Sequence, residues 1–205
     1  MLKLSAVVVG LTAVALTSGH FMKAGHNATP FTALLPPKSL RERLKRQPPP
    51  MPGFNLNAWL GPWSFHFLKA PCSWAIAEEF TDYTQLLEPG DNLVLHHETM
   101  RSRNFCNSMT SVLSIEDPGR FYGKDLVGDN WSGKYIVVAT DYRGFSIDWG
   151  CTKWSPFDQM CDDPYVFIKT RQRQLPQIVQ SRIEYALQNI FGISTKELTR
   201  ISHGR

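Results

Sequence analysis

The stretch from Gly133 to Cys151, GKYIVVATDYRGFSIDWGC, constrains the fold more than any other. Tyr135–Thr140 and Phe145–Trp149 are rich in Tyr, Ile, Val, Phe and Trp, which suit a pleated, packed surface. The residues between them, Asp141-Tyr142-Arg143-Gly144, have turn composition. The pattern predicts a β-hairpin. Both runs carry apolar residues at consecutive positions, so both faces of the hairpin lie against something. A sheet covered on both faces fits a barrel whose inside is a core or cavity and whose outside is clad by a helix.

The rest of the chain supplies those parts. Asn55–Leu60 reads as a short helical turn, and Pro62–Leu68 alternates Trp63, Phe65 and Phe67 with Ser64, His66 and Leu68. Further strands are expected at Trp74–Tyr83, Asp91–Arg101, Asn107–Glu116, Arg120–Val127 and Pro164–Arg171, separated by Gly- and Pro-containing breaks. With the hairpin this makes eight strands at roughly ten-residue spacing, an all-β, up-and-down antiparallel barrel of a size that can hold one small ligand. The period then changes. Leu175, Ile178, Val179, Ile183, Ala186, Leu187 and Ile190 recur at three- and four-residue steps, with Pro176 at the start and Gly192 past the end. One C-terminal amphipathic helix is expected to pack on the barrel wall, which accounts for the apolar outward positions Phe145, Ile147 and Trp149.

Ahead of this domain, Met1–Gly19 has Lys3, an apolar run from Leu4 to Leu16 and then small residues, the pattern of a secretory signal peptide. Residues 20–50 are poor in large apolar side chains and rich in proline, so a disordered basic leader is expected there, with the domain over 51–205. Arg43-Leu44-Lys45-Arg46 has the form of a furin-type processing site, alternatively a solvated basic tail, and cleavage would start the circulating form near Gln47. Residues 1–46 hold a net charge of +6, against +4 for the chain, so the domain itself carries −2. A basic face for nucleic acid is therefore not expected, and no other run approaches the ~20 apolar residues of a membrane span. Asn27 and Asn130 head glycosylation sequons, relevant to a secreted chain. Four cysteines, Cys72, Cys106, Cys151 and Cys161, point to two disulfides, with three pairings open. A zinc site is disfavoured because no Cys-x-x-Cys or helical His pair is present.

With these elements in order, residues 54–203 resemble the lipocalin family, of the secreted apolipoprotein D or retinol-binding-protein kind. Gly61-Pro62-Trp63 matches the family's Gly-x-Trp at the start of the first strand. Thr140-Asp141-Tyr142 matches its Thr-Asp-Tyr at the turn between the sixth and seventh strands, and Arg171 its arginine closing the eighth. The resemblance implies that Arg171 packs over Trp63 at the closed end of the cup, a cation–π contact worth about 2 kcal/mol when desolvated. These motifs are structural and name no cargo. By the same strand parity all four cysteines connect at the open end. Relatives often tie a barrel cysteine to a C-terminal one, but nothing follows Cys161 to serve. Cys151–Cys161 and Cys72–Cys106 are therefore the pairs expected.

The family register puts Phe65, Phe67, Tyr135, Val137, Ala139, Asp148, Tyr165, Phe167 and Lys169 on the inner face, an aromatic lining with a few polar points, or else the filling of a solid core. Asp148 and Lys169 would be inward charges on adjacent strands, paired with each other or with a polar group of a ligand. His96-His97-Glu98 reads as solvated edge residues rather than a metal site, because neighbours on a strand point to opposite faces. The function expected is that of a secreted, non-enzymatic carrier of a small hydrophobic molecule: fatty acid, retinoid, sterol, carotenoid or bilin. No other cofactor is expected, nor stable membrane insertion, and a cell-surface receptor is a further candidate partner. Two alternatives stand beside it. One is a filled barrel acting on a protein partner through the Asn130-Trp131 and Cys151–Cys161 loops. The other is a lipid isomerase like the family's cysteine-dependent prostaglandin isomerase, disfavoured because Trp74–Tyr83 holds no cysteine.

Overall fold

The computed structural model describes residues 38–72, 79–102, 105–127 and 131–204. A short helix α1 (Leu40–Leu44) and a helical turn α2 (Leu56–Trp59) precede the strands β1 (Gly61–Lys69), β2 (Phe80–Pro89), β3 (Leu93–Ser102), β4 (Phe105–Asp117), β5 (Arg120–Asp125), β6 (Ser132–Thr140) and β7 (Phe145–Cys151). A two-residue ribbon, β8 (Trp154–Ser155) with β9 (Met160–Cys161), decorates the next loop, and β10 (Pro164–Thr170) is the eighth barrel strand. Each barrel strand pairs antiparallel with the next, and β10 pairs with β1, so the sheet closes on itself. Helix α3 (Gln177–Phe191) follows, and the chain ends with β11 (Thr199–Arg200) laid against β1.

The apolar side chains divide between two clusters. Inside the barrel lie Trp59, Trp63, Phe65, Leu68, Tyr83, Phe121, Tyr135, Val137, Tyr165 and Phe167. Outside it, Phe145, Ile147 and Trp149 of β7 and Ile168 of β10 meet Ile183, Leu187 and Phe191 of α3. This explains the doubly apolar hairpin: one face is core and the other is covered by the helix. Helix α3 stops at Gly192, whose left-handed backbone lets its N–H bond to Gln188 O at 3.0 Å.

Bulges shift the inner face of two strands. The β1–β10 register slips between Phe65 and Phe67. Phe65 and Leu68 therefore face the interior, and Phe67 joins the outer cluster, contrary to the expectation that it lines the cup. A second slip, between Val137 and Ala139, keeps Val137 inside and turns Ala139 to the outer cluster. Nothing in either local sequence marks these bulges.

Three further expectations need correction. The second strand is Phe80–Pro89 rather than Trp74–Tyr83; Thr, Asp and Gln within it mask the inward alternation of Tyr83, Gln85 and Leu87. Residues 38–50 are ordered, not a disordered leader. Ser39 caps α1 by accepting Glu42 N–H, Leu44 is fully buried in the outer cluster, and Leu44 O accepts the Trp149 indole N–H at 2.8 Å. Cys161 N–H bonds to Lys45 O, Met51 N–H bonds to Val137 O, and Arg43 pairs with Glu197. The segment is a strap on the barrel's outer wall. The third correction concerns the cysteines. Cys151 and Cys161 form the disulfide, but Cys72 and Cys106 are free and exposed. The β3–β4 ladder runs on to Ser102 and Phe105, which places Cys106 within the ladder opposite Arg101, while Cys72 N–H is held by Asp163 Oδ1 at 2.7 Å. The signal-peptide stretch and the sequons at Asn27 and Asn130 lie outside the described residues.

Candidate functional site in the barrel interior

The closed end is knotted by Arg171. Its guanidinium lies 3.6 Å from the centre of the Trp63 ring and donates to four backbone oxygens, those of Tyr142, Pro62, Ala58 and Trp59. Gly61 meets it at a left-handed φ of 95°, and a Cβ there would touch the guanidinium. Trp63 itself donates from Nε1 to Trp59 O. The turn between β6 and β7 explains its residues equally well. Asp141 Oδ1 accepts the N–H groups of Arg143, Gly144 and Phe145, Thr140 Oγ1 accepts that of Tyr142, and Tyr142 adopts φ 65°. Asp141 also pairs with Arg182 of α3 at 2.7 Å, tying the helix to the turn.

Above this floor a polar chain crosses the interior. Trp59 Nε1 donates to Ser146 Oγ at 3.1 Å, and Ser146 donates to Asp148 Oδ1 at 2.6 Å. Asp148 Oδ2 accepts from the Tyr135 hydroxyl and forms an ion pair with Lys169; both partners of that pair are fully buried. Lys169 Nζ also donates to Gln85 Oε1 and to Tyr135 Oη. From there the Gln85 amide contacts His96, whose Nδ1 lies 2.9 Å from Ser111 Oγ and whose Nε2 lies 2.8 Å from Glu98; Glu98 accepts from Tyr83 at 2.6 Å. Burial holds the Lys169 ammonium below the ordinary lysine range, against the pull of Asp148. Burial, then the neighbouring carboxylates, push the phenols of Tyr83 and Tyr135 well up. His96 and Glu98 are thus inner-face residues, not solvated edge residues. The alternation of Val94, His96, Glu98 and Met100 along β3 was the signal for them. His97 faces away, toward Glu88, and no metal-binding cluster occurs among the described residues.

A group of stacked rings lines the interior beside β1, β2 and β10. Phe65 stacks on Tyr83 at 3.8 Å and meets Phe167 edge-on at 5.2 Å, and Tyr165 lies against Phe167 at 4.8 Å. Glycines make room for the large rings: a Cβ at Gly150 would collide with Tyr165, and one at Gly123 with Trp131. Beside Tyr83 and Trp131 lies a residue that sequence reasoning missed. Asp125, at the end of β5, is 4 % exposed, and neither carboxylate oxygen has a hydrogen-bond partner within bonding distance among the described residues. Burial, then the nearby Glu98 carboxylate, raise its pKa to about 6, against the weaker pull of His96 and the Trp131 backbone. The β5 alternation Phe121, Gly123, Asp125 was the available signal. Of the lining set, then, Phe65, Tyr135, Val137, Asp148, Tyr165, Phe167 and Lys169 share the interior, and Phe67 does not.

No protein-family model matches the sequence, and no curated protein matches it. Solved structures do match the fold. The cockroach major allergen Per a 4 superposes with a TM-score of 0.61 at 12% identity, over 78% of this chain and 96% of that one. Insecticyanin from the tobacco hornworm Manduca sexta gives 0.60 at 15% identity, over 78% and 88%. The chain has the lipocalin fold. Lobster apocrustacyanin A1 gives 0.60 at 14% identity, over 74% and 81%. The strand directions place Arg171 and Trp63 at one end of the barrel and Asp125 at the other.

Proposed function

We propose that this lipocalin-fold chain is a secreted, non-enzymatic carrier, of the kind resembling apolipoprotein D and retinol-binding protein. Its cargo is a small, largely apolar molecule bearing one hydrogen-bond donor, in the class of lipids, retinoids, sterols, carotenoids and bilins. The observation that carries this reading is the Asp125 carboxylate, buried beside Tyr83 and Trp131 at the end of the barrel opposite Arg171, with neither oxygen hydrogen-bonded among the described residues. A buried acid without a donor destabilises the empty protein, and a ligand hydroxyl or N–H there removes the penalty. The Phe65, Tyr83, Tyr165 and Phe167 rings would cover the apolar body. Both free thiols are exposed, away from the interior, which supports a carrier rather than a cysteine enzyme.

The test is a pair of measurements on Asp125→Asn. Because the folded pKa lies above the ordinary aspartate value of 3.8, the native state holds more protons than the unfolded chain between about pH 4 and 6. Stability of the empty wild type therefore falls as pH rises through that window. The variant is expected to lose that slope and to be the more stable protein at neutral pH. It is also expected to bind a donor-bearing probe such as retinol about tenfold more weakly, by quenching of tryptophan fluorescence. Unchanged affinity across a panel of donor-bearing probes would count against Asp125 as the anchor.

One observation favours a second reading, a filled barrel that acts through its loops. The Asp148–Lys169–Gln85–His96–Glu98 chain finds its partners within the barrel, and Phe157, on the loop before β9, is 99 % exposed. A barrel that quenches with no probe would support it.

A further inference from the structure

A groove of about 680 Å³ lies on the outer side of the barrel, bounded by β1, the segment leading into α3, and the C-terminal residues around β11. Its apolar surface comes from Phe67, Leu198 and Ile201, all buried, with Leu175 beside them. Three exposed cations, Arg173, Lys196 and Arg200, line it, and no carboxylate does. None of the three forms an ion pair among the described residues, whereas Arg43 and Arg182 nearby along the same surface each have a carboxylate. Two histidines complete the lining. His66 and His203 stand edge to face at 5.2 Å, and His203 Nδ1 is buried without a hydrogen-bond partner among the described residues. The positive surroundings register on His66: after burial, His203 and Arg200 help hold its pKa down.

We infer that this outer groove binds an amphipathic organic anion, a carboxylate head on an apolar body, at a site separate from the barrel interior. Unpaired cations over an apolar floor match both ends of such a molecule, and the volume falls within the usual range for small-molecule sites. The backbone that frames the groove is fixed. Ile201 N–H bonds to His66 O at 2.8 Å, and His203 Nε2 bonds to Phe65 O at 2.7 Å, so the C-terminal residues are pinned to β1.

The experiment is a titration of the full folded domain with laurate, followed by amide and histidine NMR shifts. Dodecanol and acetate serve as the neutral and headgroup-only controls. Laurate is expected to shift Gln174, Thr195, Lys196, Arg200, His66 and His203, each control binding at least about tenfold more weakly there. The triple variant Arg173→Gln, Lys196→Gln, Arg200→Gln changes only exposed side chains and keeps the fold. It is expected to weaken laurate at these resonances by about tenfold, the combined effect of three exposed charge contacts. Affinity in the triple variant within twofold of wild type would overturn the inference. So would laurate shifts confined to interior residues such as Phe167 and Tyr165, although that second outcome would support the carrier reading while removing the outer site.

Discussion

Lys169→Met is expected to destabilise the domain by about 3–5 kcal/mol, measured by denaturant unfolding at neutral pH. Lys169 and Asp148 are both fully buried, and the ammonium is the only cation in contact with that carboxylate among the described residues. Removing it leaves a negative charge in the barrel interior with only the Tyr135 and Ser146 hydroxyls to hold it. The double variant Lys169→Met, Asp148→Asn removes the orphaned charge and is expected to recover more than half of the loss. Equal losses in single and double variants would show that packing, not charge pairing, decides this position. Because the pair is satisfied from within, neither variant is expected to change probe affinity beyond its effect on folding.

The second large effect concerns the strap. Leu44→Ala is expected to cost about 2–5 kcal/mol, as for other fully buried leucines, and to release the segment it anchors. In the folded wild type the bonds around Arg46 are not free to enter a protease. Lys45 O accepts Cys161 N–H, Arg46 bridges to Met160, and Arg43 is engaged by Glu197. A furin-type protease is therefore expected to leave folded protein uncut after Arg46 and to cut Leu44→Ala readily, read by mass spectrometry over time. Equal cutting of the two would show that the strap opens without losing its anchor, and a mature chain beginning at Gln47 would then be an ordinary product.

The barrel was legible because its determinants are local. The Gly133–Cys151 hairpin, the period of two in the strands and the three- and four-residue steps after Leu175 each report which faces are covered. Arg171, Trp63 and the Thr140-Asp141-Tyr142 turn could be named because they act through backbone contacts at fixed places in the topology. The interior was less legible. A bulge costs one residue of register and leaves no compositional trace, so Phe67 was assigned to the wrong face. His96, Glu98 and Asp125 are polar, and a polar residue on a strand suggests solvent until the opposite face is known to be buried. The strap was hidden for a related reason. Leu40 and Leu44, one helical turn apart behind the Ser39 cap, are the whole of its apolar signal, set among basic residues and prolines. Cys72 and Cys106 show the limit of parity: both lie near the open end, yet the ladder carries Cys106 past the turn.

The central claim is that the barrel carries a small apolar molecule, and native mass spectrometry of protein secreted from eukaryotic cells tests it most directly, followed by organic extraction of whatever is released. The account predicts one stoichiometric adduct that is lost on unfolding, is identified as a lipid or pigment with a hydroxyl or N–H group, and is reduced in Asp125→Asn. An adduct-free barrel whose tryptophans no hydrophobic probe quenches would contradict it.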